Sequence, residues 1–503
     1  MMRNIRSQIA PLTLFLSSFL LRLSLIYKGP FHVDCLRLSQ NAELTLSTLK
    51  IHYQFGTGYP LTVIIGSIFV FFARAFGVDD PVIAVNFMSV LFSSACILIF
   101  YYIVKRSFDP ITAVISSILL SIDPIFMEIS LYGKSHAPAI FFLLLGTLLM
   151  IHFKERPSSR LLALSGISLG FMGACRLQDL VLMFIPLSFF IFFNKNSQPE
   201  NKRINLVSGL KTLLFLWAIS FSIIFFFHLP LLMTSASDGY SVQLSQFFSA
   251  GLFDNFDLSS SVHMRKALTF IYKSTNTLGI FLALFGLIYA FGKKANLYIF
   301  LLLWFLTPLL FYGNIYTISS RFLSLIIPAL VIVQSYILGR VSRLNVAAKL
   351  VVVFFIFFIG IMPFMEIYPQ LKFHNQNRLL PEYSQWLSSV TEDNAVVVAT
   401  DESAFYVHFG KIKTTNRPLN IDPVRTKDMH MFKAKIDDYL DNNIPVYFTT
   451  LSLYSYDPDM LFLDFVLKNY KLRYVDKKIS EIWHKGVFFN NPGNNVLYRV
   501  ERY

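Results

Sequence analysis

The sequence predicts a polytopic α-helical membrane protein that ends in an α/β segment, and three observations carry that expectation. Of the 503 residues, 54% are hydrophobic and only 15% are charged, whereas soluble domains carry about 25% charged residues. The apolar residues come in blocks of roughly 18 or more, the length that crosses a ~30 Å hydrocarbon core as a helix. From about residue 367 onward the blocks stop, and helix-like and strand-like stretches alternate instead.

The first block, "IAPLTLFLSSFLLRLSLIY", follows Arg3 and Arg6. A cleaved signal peptide has a shorter apolar core and small residues at a cleavage site. Neither is present, so the block reads as a retained first helix. The net charge of +14 does not point to nucleic acid, because the basic residues collect in short loops between apolar blocks. Cys35, Cys96 and Cys175 form neither a disulfide framework nor a metal-ligand spacing.

Candidate spans are 8–27, 82–104, 110–127, 138–153, 161–175, 180–193, 204–228, 268–291, 296–312, 321–338 and 350–366. A further apolar stretch, "GYPLTVIIGSIFVFFARAFG" (58–77), is decided by loop charge, since short cytoplasmic loops carry the excess of Lys and Arg. If 58–77 does not span, the N-terminus and the loops "KRSFDP", "KERPSSR", "NKNSQPENKR", "GKKAN" and "GRVSRLNVAAK" share the cytoplasmic side. If it spans, those five loops lie opposite Arg3 and Arg6. The expectation is therefore about eleven spans, with the N-terminus inside and the C-terminus outside. The external face then carries a long first loop (28–81), in which 58–77 lies in the outer interface or re-enters it, anchored by Tyr59, Pro60 and Arg74. It also carries a short loop at "EISLYGKSH" and a long one at 229–267.

The tail reads as a separate external α/β domain, residues 367–503, behind a membrane module of residues 1–366. Its segments are "LPEYSQWLSSV", "AVVVAT", "MFKAKIDDYLDN", "PVYFTT", "MLFLDFVLKNY", "KLRYVDKKI" and "NVLYRVERY". Helices of this length between strands suggest some parallel pairing. Isolated glycines such as Gly410 and Gly486 make no phosphate loop.

Chemistry-bearing residues gather at the external ends of the spans. "GPFHVDCLRLSQ" places Asp34 just after the first helix, between His32 and Arg37. A carboxylate there can take a proton from an acceptor hydroxyl or amine; it can also be a solvated helix-end acid. Glu128, Lys134 and His136 lie in the second external loop. Arg176, Gln178 and Asp179 sit at a hairpin tip in "ACRLQDLVL", and Arg321 opens the tenth span in "TISSRFLSLIIP". Ionisable residues at membrane depth are costly and are functional candidates by default, although a single arginine at an interface can simply snorkel. Several on one face suit an anionic lipid headgroup, because a guanidinium bonds two phosphate oxygens at once.

These stretches resemble the GT-C glycosyltransferases, enzymes that use polyprenyl-phosphate sugars and include protein O-mannosyltransferases and aminoarabinose–lipid A transferases. The carrying residues are Asp34 after the first span, the interfacial "GYPL", "ISSILLSIDPIFMEISLYGKSHAPAIFFLL", "GISLGFMGACRLQDLVLMFIPL" and "SSRFLSLIIPALVIV". They cover most of residues 1–366. Two departures stand out: Cys35 follows Asp34 where the family often has an Asp-Glu pair, and His136 precedes the fourth span where many members have an acid. The tryptophan-rich motif of oligosaccharyltransferase catalytic subunits is absent.

The resemblance implies an inverting membrane glycosyltransferase of the cell envelope; a bacterial inner membrane is the first expectation for its location, with an archaeal membrane or the endoplasmic reticulum as the alternatives. Asp34 would be the base, and Arg176, Arg321, Lys134 and Arg74 the cations that hold the donor phosphate. His32, Arg37, Glu128 and His136 would be further site residues. The partners implied are a polyprenyl-phosphate-linked sugar, membrane lipids and an acceptor lipid, glycan or protein. No organic cofactor is implied; a divalent metal ion is allowed, with no ligand set assigned. The rival readings are a lipid or glycolipid transporter and a noncatalytic scaffold. Transporters tend to show repeats and polar breaks near the midplane, whereas here the polarity lies at the outer surface.

Overall fold

The structure, a computed structural model, describes residues 2–52, 59–192, 202–234, 261–314, 319–400, 402–418, 426–454, 460–479 and 494–503. Most of the expected cytoplasmic loop at 194–203, the bulk of the external loop at 229–267, and Gly486 lie outside these residues. Contacts divide the chain into two units. One is Met1–Tyr27 with Arg37–Leu371; the other is Lys28–Leu36 with Lys372–Tyr503.

The helical elements run α1 (Met2–Leu25), α2 (Val33–Thr48), α3 (Pro60–Ala75), α4 (Pro81–Ser107), α5 (Pro110–Ile122), α6 (Pro124–Glu128), α7 (His136–Glu155) and α8 (Ser159–Cys175). There follow α9 (Leu177–Phe192), α10 (Lys202–Thr234), α11 (Ser261–Tyr312), α12 (Ile327–Val341), α13 (Val346–Ile356) and α14 (Met362–Gln376). Among the described residues six helices are long and apolar enough to cross a membrane, and six shorter apolar helices accompany them. With a mean hydropathy of +0.55, this is an integral membrane protein.

Three Asp-Pro pairs start helices in the first unit. Asp80 caps α4 by accepting the Val82 N–H at 2.9 Å, and Asp109 caps α5 by accepting those of Ile111 and Thr112 at 3.0 Å. Asp123 caps α6 by accepting the Phe126 N–H at 2.9 Å. In each the side chain satisfies an N–H that has no partner within its helix, and the proline takes a first-turn position that needs no donor. The third pair corrects the expected span 110–127: α5 stops at Ile122, and a short helix follows it.

Two expected spans share one element but remain separate stretches, His263–Tyr289 and Ala295–Tyr312, and a third starts later than expected. The stretches 268–291 and 296–312 fall within the single element α11, yet a Cβ added to Gly313 would come within 2.7 Å of the Met264 side chain. The two ends of α11 therefore meet, and the element doubles back. Arg321 does not open an α-helix; it lies in a 3-10 turn, Ser320–Leu325, ahead of α12.

The end of α1, the start of α4 and the loop before α7 meet through one side chain. Asn86 donates from Nδ2 to the Tyr27 carbonyl at 2.8 Å and accepts the Gly133 N–H at 2.7 Å. The Tyr27 N–H in turn reaches the Leu131 carbonyl at 3.1 Å. Gly133 permits this approach: a Cβ there would lie 2.3 Å from Val85. Farther along, α8 packs closely on α10, since a Cβ at Gly170 would lie 2.6 Å from Ile223. Small residues at such a crossing let two backbones approach within the bilayer.

The second unit holds a five-stranded sheet of order β2-β1-β3-β5-β4, made of β1 (Val396–Ala399), β2 (Lys413–Asn416), β3 (Val446–Thr449), β4 (Lys471–Ile479) and β5 (Asn494–Glu501). β1 pairs in parallel with β2 and β3, while β5 runs antiparallel to β3 and β4. Successive residues alternate faces. Val397, Tyr447 and Leu497 pack with Tyr383 and Leu387 of α15 (Leu379–Val390). Val398 and Phe448 pack on the other side with Phe432 and Ile436 of α16 (Thr426–Asp441) and Phe462 and Val466 of α17 (Leu461–Asn469). Residues 28–36 belong here too: Val33 and Leu36 pack with Phe405, and the Phe31 ring meets that of His374 at 4.5 Å.

Candidate functional site

The first unit gathers a set of buried charges around the hairpin between α8 and α9. Arg176, 2% exposed, donates from Nε to Asp179 Oδ2 at 2.8 Å and from Nη1 to Ser135 Oγ at 3.2 Å. Its Cζ lies 5.8 Å from the Tyr59 ring and 5.9 Å from the Phe322 ring. Tyr312 stacks on Phe322 at 5.2 Å and donates its hydroxyl to Asp179 Oδ1 at 2.6 Å. Both oxygens of Asp179 are thereby used, and the guanidinium is fixed between two aromatic faces. Among the described residues its Nη2 meets no partner in hydrogen-bond geometry. Burial pulls the Arg176 guanidinium down, but Asp179, Tyr59 and Tyr312 outweigh that and hold it above its ordinary value. It is a permanent cation.

The other candidates, in the segment between α6 and α7 and ahead of α12, lie beside it. Ser135, the acceptor for Arg176, stands between Lys134 and His136, which are 4% and 1% exposed. His136 faces the Phe322 ring at 6.1 Å, and Arg321 lies over the same ring at 5.4 Å. Glu128 accepts the Ser320 hydroxyl at 2.6 Å, next to Arg321. Burial raises the Glu128 carboxyl above its usual range against the opposing pull of Ser320, Arg321 and Lys134.

Arg176, Arg321, Lys134, His136 and Glu128 are thus brought together. Arg74 is not among them. It sits in the last turn of α3, paired with Glu43, with side chains 38% and 42% exposed. Tyr59, at the opposite end of that helix, is the residue of "GYPL" that reaches Arg176.

Asp34 and His32 belong to the second unit, and Arg37 is exposed in the first. Asp34 lies in the first turn of α2 and is 8% exposed. His32 Nδ1 is 3.1 Å from the Asp34 amide nitrogen and 3.3 Å from its Oδ2. The amide can only donate, so in that contact Nδ1 is the acceptor.

Sequence reasoning missed Ser135, Ser320, Tyr312 and Phe322. Only Ser135 carried a signal, its place between Lys134 and His136. Asp179 was visible as an acid three residues after Arg176, a spacing that lets the two meet on a helix.

Residues 65–224 match the family model described as dolichyl-phosphate-mannose-protein mannosyltransferase. No curated protein matches the chain. Among solved structures, the chain resembles the oligosaccharyltransferase of Archaeoglobus fulgidus with a TM-score of 0.61 at 13% identity, over 92% of this chain and 72% of that one. It resembles ArnT of Cupriavidus metallidurans with a TM-score of 0.55 at 11% identity, over 97% of each chain. The chain has the GT-C fold. A third GT-C structure, the mycobacterial arabinofuranosyltransferase AftD, gives a TM-score of 0.53 at 13% identity, over 97% of this chain and 41% of that one. The resemblance and the enzyme class expected from the sequence agree with these matches, all of them to glycosyltransferases; the transporter reading gains nothing from them.

One structure of the archaeal oligosaccharyltransferase contains zinc and sulfate. Among the described residues of this GT-C chain, no three His, Cys, Asp or Glu side chains are placed to hold a metal ion. The described residues therefore assign no ligand set to a metal.

Proposed function

We propose that this chain is a membrane glycosyltransferase that moves a sugar from a polyprenyl-phosphate donor to an external lipid, glycan or protein. The observation that carries the reading is the Arg176 guanidinium, buried, aligned by Asp179 and Ser135, with Nη2 unpartnered. A cation held in this way suits a phosphate oxygen, and Arg321 and Lys134 add positive charge nearby. The fold supports the same donor class. A related structure of the archaeal enzyme is a complex with dolichol-phosphate, and one of ArnT is bound to undecaprenyl phosphate.

In this mechanism the acceptor hydroxyl or amine attacks the anomeric carbon, and Asp34 takes its proton. The bond from that carbon to the phosphate oxygen breaks, and polyprenyl phosphate leaves with the electron pair. A single displacement inverts the anomeric configuration. The leaving group is already a stable anion, so catalysis needs a placed base and preorganised cations. The N-terminus lies in the cytoplasm and the C-terminal unit outside, in a bacterial inner membrane. The meeting of Tyr27 with Asn86 supports that topology, since the chain is at one depth on either side of α3.

Mass spectrometry of lipids that co-purify with the protein tests the donor class. Polyprenyl phosphates enriched over the bulk membrane, and lost in Arg176→Ala, are the expected result. Recovery of bulk phospholipids alone would remove the proposal's basis.

A further inference from the structure

Two buried atoms near the hairpin tip have no hydrogen-bond partner among the described residues, and their chemistry is opposite. Arg176 Nη2 is a donor, and Gln178 Oε1 is an acceptor. A buried polar group left unpaired costs about 1–3 kcal/mol, so a pair of complementary orphans two residues apart calls for an explanation. Asp179 cannot bridge them, because its carboxylate oxygens only accept and Gln178 Oε1 has no hydrogen to give. One residue touches both side chains. The Tyr59 hydroxyl accepts from Gln178 Nε2 at 3.1 Å, and its ring lies 5.8 Å from the Arg176 Cζ. Tyr59 also has φ 49, the left-handed region that a side chain rarely adopts.

We infer that Gln178 reads a hydroxyl on the donor sugar, next to the phosphate that Arg176 holds; this rests on the lipid-phosphate reading of the site. The ligand complementary to the two orphans has an anionic oxygen beside an O–H donor. In a sugar phosphate the hydroxyl nearest the phosphate is the one on C2, the carbon beside the anomeric centre. Arg176 Nη2 donates to the phosphate and Gln178 Oε1 accepts from the C2 hydroxyl. Tyr59 covers both groups until the donor arrives, and its displacement lets the backbone leave the left-handed region. A site built to bond a hydroxyl discriminates strongly against the analogue that lacks it, because its own buried group is then left unpaired.

The test uses the full chain in lipid nanodiscs and three probes, dolichyl phosphate, dolichyl-phosphate-mannose and its 2-deoxy analogue, with undecaprenyl phosphate as a second lipid phosphate for the wild type. The wild type should bind the mannosyl probe more tightly than the 2-deoxy probe, on the order of tenfold. Gln178→Met should bring that ratio to about one while binding dolichyl phosphate as the wild type does. Gln178→Glu keeps an acceptor in place, so it should retain the ratio although its charge weakens all three probes. An unchanged ratio in Gln178→Met, or no discrimination by the wild type, would overturn the inference and leave the donor reading standing. Failure of both dolichyl phosphate and undecaprenyl phosphate to bind the wild type would instead sink the donor reading, and this inference with it.

Discussion

Arg176 is bound to Asp179 through Nε at 2.8 Å, with side chains only 2% and 4% exposed. The acid orients the cation without using it up, because Nη1 goes to Ser135 and Nη2 remains. Breaking a buried pair by removing one partner is expected to cost about 3–5 kcal/mol, since the survivor is left uncompensated. Asp179→Asn should therefore lower the melting temperature sharply. Arg176→Met combined with Asp179→Leu should recover most of the loss but not donor binding. A double variant that binds donor lipid as the wild type does would exclude Arg176 from the site.

Arg176→Lys and Arg321→Lys separate charge from geometry. An ammonium keeps the charge and loses the planar fork. Donor affinity should fall in both lysine variants, and alanine should cost about 2–5 kcal/mol of binding if the contact is desolvated. Affinity should fall more than melting temperature. Unchanged donor affinity in all four variants would remove both arginines and leave Lys134 and Arg37 as the remaining cations to test.

Residues 58–77 are expected not to cross the membrane. α3 follows and precedes chain segments that meet at Asn86 and Tyr27. In a background lacking the three cysteines, single cysteines at Asp79 and Asp109 should label from opposite sides, outside and inside. Labelling of both from one side would overturn the proposed topology.

Glu128 gives a pH dependence of known sign. Its carboxyl lies above its ordinary value in the folded protein because of burial. A raised folded pKa gives stability that is complete at low pH and lost as pH rises through that value. Glu128→Gln keeps an acceptor for Ser320 and cannot ionise. Its melting temperature should fall less than that of the wild type as pH rises from the acid range toward neutrality, as calorimetry can record. Parallel profiles would show that the Glu128 carboxyl titrates alike in the folded and unfolded chains.

Much of this architecture was legible in the chain. Apolar blocks located most of the membrane helices, and the alternation after residue 367 foreshadowed the strands β1, β3, β4 and β5. β2 was not legible, since "KTTN" is short, polar and without periodicity. The break at Asp123-Pro124 was written in the sequence but hidden inside an apolar run. In the site, Arg176, Arg321, Lys134, His136 and Glu128 shared an expected face and do meet. Arg74 shared it too, but it lies at the far end of α3 from Tyr59, and an apolar stretch alone does not say which end turns inward. Tyr312 and Phe322 were silent because aromatic residues in apolar helices look like core.

The central claim is that Asp34 is the base of a lipid-phosphate sugar transfer. The direct measurement is release of polyprenyl phosphate from polyprenyl-phosphate-linked sugar in proteoliposomes supplied with acceptor extract, for the wild type and Asp34→Asn. That change keeps the size of the side chain and removes its basicity. The account predicts release by the wild type and a loss of about 10²–10⁴-fold in the variant, with expression and melting temperature near normal. A folded Asp34→Asn protein that transfers within a few-fold of the wild type would contradict it.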